Sequence, residues 1–324
     1  MTQLTIVQAV KFALEQEMER DPDVLILGED VGKDGGVFRA TDGLLDKFGE
    51  DRVIDTPLSE SGIVGVAIGL ALYGLKPVAE IQFDGFLYSA LDQLISHAGR
   101  IRNRSRGRFH VPLVVRVPYG GGIRAPEHHS DSPEVYLIHT PGIKVITPST
   151  PYDTKGLLIS AIRDSDPVIF LEPKRIYRAI REEVPEEDYT IPLGEAKIVR
   201  QGDDVTVICW GAMVRHVFEA ADRIGDKIDV EVIDLRSLSP IDVNTIAKSV
   251  SKTGKAVVVH ESQRTCGLGA EVSSLINEKV FLSLEAPIER VTGFDVPFPL
   301  FKLEDYYLPN VNRIVTGIEK VANF

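Results

Sequence analysis

The sequence predicts an α/β protein of two domains, each a mainly parallel sheet covered by helices. Short apolar runs ending in glycine or acids alternate with helical stretches. A charged, proline-punctuated segment at 181–197, REEVPEEDYTIPLGEAK, interrupts the alternation, and beyond it the same pattern resumes. We therefore place a first domain at residues 1–185, a linker at 186–198 and a second, smaller domain at 199–324. With 324 residues, 44% hydrophobic and 26% charged, each part has enough apolar side chain for its own core.

In order, MTQLTIVQAVKFALEQEMER reads as an amphipathic helix containing acids, which argues against a signal or transit peptide. DVLILGED is a buried strand that delivers Glu29 and Asp30 at its carboxyl end. DRVIDTP is a second strand running into the helix SESGIVGVAIGLALYG, with Thr56 expected as the cap and Pro57 early in the turn. LKPVAEIQF and VPLVVRVPYGGG are further strands, with the helix SALDQLISHAGRIRN between them. Past the linker come strand DVTVICWG, helix AMVRHVFEAADRI, strand DVEVIDLRSLSP, helix VNTIAKSVSK, strand KAVVVHES and helix GLGAEVSSLINE. Ligands in such folds bind beyond the carboxyl ends of the strands.

Composition narrows the function. Thirty-six basic against 48 acidic residues give a formal charge of −12, which argues against nucleic acid or an anionic membrane as the main partner and favours a basic protein. No apolar run is long enough for a membrane span, so a cytoplasmic protein is expected. Cys209 and Cys266 are too far apart for a metal cluster or a disulfide framework; Cys209 reads as a core residue and Cys266 as part of an exposed turn.

Two segments are candidates for chemistry. Glu60 enters a helix otherwise made of small and apolar residues, with Gly62, Gly65 and Gly69 near one face. Burial there would raise its pKa while the helix amino end lowers it, poising it to exchange a proton; the plainer reading is a first-turn acid complementing the helix dipole. In PYGGGIRAPEHHSDSPE, three glycines shape a loop carrying His128 and His129 to the strand ends, where histidine suits proton transfer near neutrality. Unemployed surface histidines are the alternative, and no third ligand supports a metal site. Arg100, Arg102, Arg104, Arg106 and Arg108 would bind a phosphate or an acidic partner, or simply solvate the carboxyl end of a helix. GLGAEV lacks the third glycine and the placement of a dinucleotide fingerprint, and neither a P-loop nor a diphosphate motif occurs, so a diphosphate cofactor would need another chain to hold it.

The segments LGEDVGKDGGVFRATDGL, DTPLSESGIVG, AEIQFDGF, VRVPYGGG, HHSDSPE, PGIKVITPSTPYDTKGLL, DPVIFLEPKRIYR and DLRSLSPID, in this order over essentially the whole chain, resemble the β subunit of the thiamine-diphosphate-dependent decarboxylase component of 2-oxo acid dehydrogenase complexes. The resemblance implies a pyrimidine-binding domain followed by a transketolase carboxyl-terminal-like domain, in an α2β2 heterotetramer whose α subunit holds Mg²⁺ and the diphosphate. It implies Glu60 as the carboxyl that hydrogen-bonds a pyrimidine ring nitrogen, Leu58 and Phe86 packed on the pyrimidine, and Gln82 alongside. It implies His129, rather than His128, as acid or base near substrate and in acyl transfer to lipoamide. Some members hold potassium, at positions that fall here on Val111, Leu113, Val114, Ala161, Asp164 and Asp166. A basic docking domain of the lipoyl acyltransferase core would suit the acidic chain. His260 matches no catalytic position and reads as structural.

The expected reaction is oxidative decarboxylation of a 2-oxo acid with reductive acylation of the lipoyl group. LEPKRIYR and HHSDSPE lean towards branched-chain substrates and FDGFLYSALDQ towards pyruvate; we take branched-chain first, with a pyruvate dehydrogenase β subunit as the alternative. A transketolase-like or deoxyxylulose-phosphate-synthase-like fragment would need phosphate loops that are missing. A noncatalytic docking scaffold would not need Glu60, Phe86 and His129 in their motifs.

Overall fold

The computed structural model describes residues 1–324. The chain divides into two compact units, Met1–Tyr119 with Tyr136–Leu193, and Gly120–Val135 with Gly194–Phe324.

In the first unit, β1 (Thr2–Leu4) precedes α1 (Ile6–Arg20), so the opening stretch is not helical throughout. Thr5 stops the strand and starts the helix through a capping box: its side chain accepts from the Gln8 amide, and the Gln8 side chain reaches back to the Thr5 amide. There follow β2 (Val24–Gly28), α2 (Leu44–Phe48), β3 (Val53–Asp55), α3 (Glu60–Tyr73), β4 (Lys76–Glu80), α4 (Gly99–Arg104), β5 (Val114–Tyr119), α5 (Glu134–Ile138), β6 (Lys144–Ile146), α6 (Pro151–Arg163), β7 (Val168–Pro173) and β8 (Glu182–Val184). Six strands form an all-parallel sheet in the order β6-β7-β5-β4-β2-β3, and β1 pairs antiparallel with β8. The central strands β2, β5 and β7 are buried along their whole length, which is why they read as continuous apolar runs rather than alternating ones.

Three expectations change in this unit. Helix α3 begins at Glu60 after Ser59, and Thr56 does not cap it; the Thr56 hydroxyl is buried without a hydrogen-bond partner. The predicted helix at 89–103 is wound in three ways, 3₁₀ over Leu87–Ala90, π over Gln93–Ala98 and α over Gly99–Arg104. The proline-rich segment stays with the first unit as far as Leu193, because α6 holds it: Lys155 Nζ donates to the carbonyls of Pro185 and Glu187 at 2.6 and 2.8 Å, and the Ile191 amide donates to the Gly156 carbonyl.

The second unit contains β9 (Lys197–Arg200), β10 (Val205–Cys209), α7 (Met213–Ile224), β11 (Val230–Asp234), the short strand β12 (Ser237–Ser239), α8 (Val243–Thr253), β13 (Ala256–Val259), α9 (Leu268–Val280), β14 (Glu289–Val291), α10 (Glu304–Tyr307) and α11 (Val311–Ala322). Its sheet runs β14-β13-β10-β11-β9, parallel except for β9. Cys209 is core and Cys266 is exposed, as expected. His260 is buried, stacks on Trp210 at 5.2 Å and places Nδ1 2.9 Å from Ser262 Oγ. No helix is long and apolar enough to cross a membrane.

Candidate active site

The parallel sheet of the first unit gathers polar groups at its carboxyl edge. Glu29 follows β2, Glu80 ends β4 with Gln82 two residues on, and Glu60 opens α3. Glu60 is buried on the first turn of that helix, and its Oε2 lies 2.9 Å from Ser89 Oγ. The same hydroxyl is 2.9 Å from the Phe86 carbonyl, so its single proton serves one acceptor at a time. Glu29 has a buried Oε1 without a hydrogen-bond partner. Burial, and after it the charges of Glu60 and Asp30, push the Glu29 carboxyl above its ordinary pKa.

Gln82 is fixed from both sides. Its Nε2 donates to Glu80 Oε1 at 2.6 Å and to the Glu29 carbonyl at 3.1 Å, and the peptide joining it to Phe83 is cis. Phe86 is half-buried at the start of the 3₁₀ turn, whereas Leu58 is 77% exposed immediately before α3. An exposed leucine, a half-buried phenylalanine, a carboxylate and an amide within one short region offer a flat heteroaromatic ring both apolar cover and hydrogen-bonding groups. The orphaned Glu29 oxygen adds a buried group with unused bonding capacity. The donor and acceptor set therefore fits an aminopyrimidine.

The histidine loop belongs to the second unit. The Gly120 amide donates to the Asp131 carbonyl at 3.0 Å, closing residues 120–131 into a loop. The Gly121 amide donates to Glu261 Oε2 at 3.1 Å, and Glu304 accepts from the amides of Gly122 and Arg124. These carboxylates take up backbone donors that no strand or helix satisfies, which accounts for the loop's grouping apart from the strand that leads into it. A Cβ on Gly121 would lie 2.5 Å from the Phe298 ring, which would have to shift to admit any side chain there. His128 is exposed with φ +68°, whereas His129 is half-buried with Nδ1 2.8 Å from the Glu127 carbonyl. A carbonyl only accepts, so in the neutral ring Nδ1 carries the proton and Nε2 the lone pair.

The other candidates are engaged elsewhere. Asp164 pairs with Lys144, and Asp166 pairs with Arg102. The carbonyls of Val111, Leu113 and Ala161 accept chain amides from Leu113, Val168 and Asp164. Val114 lies within buried β5. With both carboxylates in ion pairs, no step is assigned to a cation there. The arginine cluster is exposed, with Arg102 paired to Asp166 and Arg104 donating to the Ser96 carbonyl.

Sequence reasoning did not single out Ser89, Glu80 or Arg116. Ser89 carried no signal, being one serine in a helical stretch. Glu80 and Arg116 did carry one: Arg116 interrupts an apolar parallel strand with a charge, and Glu80 ends the neighbouring strand with one.

Comparison with known proteins shows the family and the fold. Residues 2–179 match the transketolase pyrimidine-binding domain, and residues 194–314 match the transketolase C-terminal domain. The chain is 54% identical over 323 residues to the pyruvate dehydrogenase E1 component subunit beta of Acholeplasma laidlawii, covering 99% of both chains. It is 52% identical to the protein of the same description from Bacillus subtilis (strain 168), over 100% of each. Among solved structures it resembles a split-gene transketolase described as an inactive beta4 tetramer, with TM-score 0.80 at 22% identity over 99% of both chains. It also resembles the transketolase from Leishmania mexicana, with TM-score 0.69 at 18% identity, covering 100% of this chain and 46% of that one.

Proposed function

This chain belongs to the β-subunit family of thiamine-diphosphate-dependent 2-oxo acid dehydrogenases, and from that premise we propose that it is the β subunit of a pyruvate dehydrogenase, working in an α2β2 assembly. Pyruvate replaces the branched-chain acids favoured by the two short segments, because relatives at 54% and 52% identity over the whole chain are pyruvate dehydrogenase subunits. Local likeness over a few residues weighs less than likeness over every element that shapes the site.

The observation that carries the assignment is the buried Glu60 carboxylate at the head of α3, bridged by Ser89 to the Phe86 turn. Glu60 would hold a hydrogen bond to a pyrimidine ring nitrogen from its place at the head of α3. Leu58 and Phe86 would cover the ring, and Gln82 would lie at its edge. When bound, thiamine diphosphate supplies a thiazolium ring that accepts the electron pair released with carbon dioxide. His129, its tautomer set by the Glu127 carbonyl, moves a proton at Nε2 during substrate handling and transfer of the acyl group to lipoamide. Mg²⁺ and the diphosphate are assigned to the α subunit, because the sequence carries neither a P-loop nor a diphosphate-binding motif. A charge of −12 suits a basic docking domain on the acyltransferase core.

The test is decarboxylation of pyruvate and of 3-methyl-2-oxobutanoate by this chain, alone and coexpressed with an α subunit, with and without thiamine diphosphate and Mg²⁺. Cofactor-dependent activity only in the pair, faster with pyruvate, is expected; faster turnover of the branched acid would reverse the substrate assignment. Glu60→Gln should lower turnover at least about 10²-fold with assembly intact, and near-normal activity would remove Glu60 from its role. His129→Ala should impair lipoamide acylation severely, and unchanged acyl transfer would remove that role.

A further inference from the structure

A buried ion network lies directly behind Gln82. Arg116, on the central strand β5, is fully buried between two carboxylates: Nη1 donates to Glu80 Oε2 at 2.6 Å, while Nε and Nη2 donate to the two oxygens of Glu172 at 2.6 and 3.0 Å. Tyr177 donates its hydroxyl to the same Glu172. Burial alone would depress Arg116, but the charges of Glu172 and Glu80 outweigh it and keep the guanidinium protonated. The Glu80 backbone sits against Gly28, where a Cβ would come within 2.8 Å of the Glu80 carbonyl oxygen, and its carboxyl lies beside Gly36, whose φ of +76° favours glycine.

The remaining oxygen of Glu80 receives Gln82 Nε2 at 2.6 Å, and the Glu29 carbonyl receives the same nitrogen at 3.1 Å. Both neighbours are acceptors, so the amide nitrogen must face them, and both of its N–H bonds are consumed within the chain. The polar capacity left to Gln82 is its oxygen, which only accepts. An aminopyrimidine carries an exocyclic amino group, which donates. We infer that the Arg116–Glu80 pair is a positioning device for Gln82, holding its nitrogen inward so that its oxygen alone is offered to the amino group of the cofactor. The inference rests on the proposed function.

Glu80→Gln tests it. The new amide has one acceptor, which Arg116 takes, and therefore turns its NH2 towards Gln82; the Gln82 amide must then flip or lose its partner. In the assembled α2β2 complex stripped of cofactor, we expect Glu80→Gln to weaken thiamine diphosphate binding about tenfold by calorimetry. In a Gln82→Met background the same substitution should have no further effect on affinity, because it acts through the amide. An unchanged affinity for Glu80→Gln, or full additivity of the two substitutions, would overturn the inference. Should Glu80→Gln fail to assemble, Glu80→Asp enters the same cycle, since it keeps the charge but is one methylene too short to reach both partners. A wild-type complex that binds no thiamine diphosphate would defeat the proposed function and this inference with it; wild-type binding with an additive cycle defeats the inference alone.

Discussion

The two units bury their deepest functional supports in opposite ways. In the first, charge is buried in ion pairs: Arg116 with Glu80 and with Glu172, whose carboxyl burial nonetheless pushes up, and Lys174 with Asp84 at 2.7 Å. Around the histidine loop of the second, titratable groups are buried in neutral form or bonded to backbone amides. His260 is lowered to about 3 by burial and the nearby Arg290 charge, Glu134 is raised by burial, and Glu304 accepts loop amides. A closed pair resists pH change and fails when one member is removed; a neutral buried group tolerates an uncharged substitute and fails when pH forces a charge on it.

The largest effect expected from this contrast is at Arg116. Arg116→Met leaves Glu80 and Glu172 facing one another in a dry interior and should cost about 3–5 kcal/mol. Hydrogen exchange would report it as faster exchange of the amides in Val114–Tyr119. Adding Glu80→Gln and Glu172→Gln to the same chain should recover most of the loss, because no uncompensated charge then remains. If the single substitution costs less than the triple one, the network is not behaving as a closed pair.

What the sequence made legible follows the same division. Parallel strands announce themselves by continuous apolar runs, and helix α3 by small residues, so the sheet and the placement of Glu60 at its edge were readable. The pairing of Glu80 with Arg116 was not, because the two lie on neighbouring strands 36 residues apart and only β4–β5 register brings them together. The loop of residues 120–131 reads as the end of a strand, yet it is held by Glu261 and Glu304, which come from the far end of the chain. Three glycines reveal that the backbone must do something unusual but not which carboxylate satisfies it. The switch from 3₁₀ to π to α winding over 87–104 left no mark in the periodicity, since each stretch is only four to six residues long, too short to set a period of its own.

Smaller effects should separate the neutral groups by the direction of their pH dependence. His260 has a depressed pKa, so its contribution is complete above about 6.5 and is lost as pH falls towards about 3. Burial raises the Glu134 carboxyl and outweighs the bonds from Ser262 and Trp210 that lower it, so its contribution is complete below the ordinary glutamate value and is lost as pH rises through the raised one. Each group alters stability by at most about 1.4 kcal/mol per pH unit within its window. Unfolding midpoints measured across pH should lose their acid-side slope in His260→Gln and their basic-side slope in Glu134→Gln. Unaltered slopes in both variants would place the titrating groups elsewhere.

The smallest effects sharpen the contrast at the level of single helix caps. Thr5 caps α1 of the first unit with a hydroxyl, and Asp242 caps α8 of the second with a carboxylate accepting from the Thr245 amide at 3.0 Å. Either cap is worth about 1 kcal/mol against alanine. Burial would raise the Asp242 carboxyl, but the bonds from Thr245 and the Ala196 amide outweigh it and hold it below its ordinary value. Its contribution is therefore present above the ordinary aspartate value and fades as pH falls through the lowered one. Thr5→Ala should cost the same at every pH, whereas the cost of Asp242→Ala should shrink on acidification. Urea midpoints at neutral and acidic pH decide this, and a cost for Asp242→Ala that does not change with pH would mean that the cap bonds survive protonation, leaving the carboxylate's charge no part in holding the start of α8.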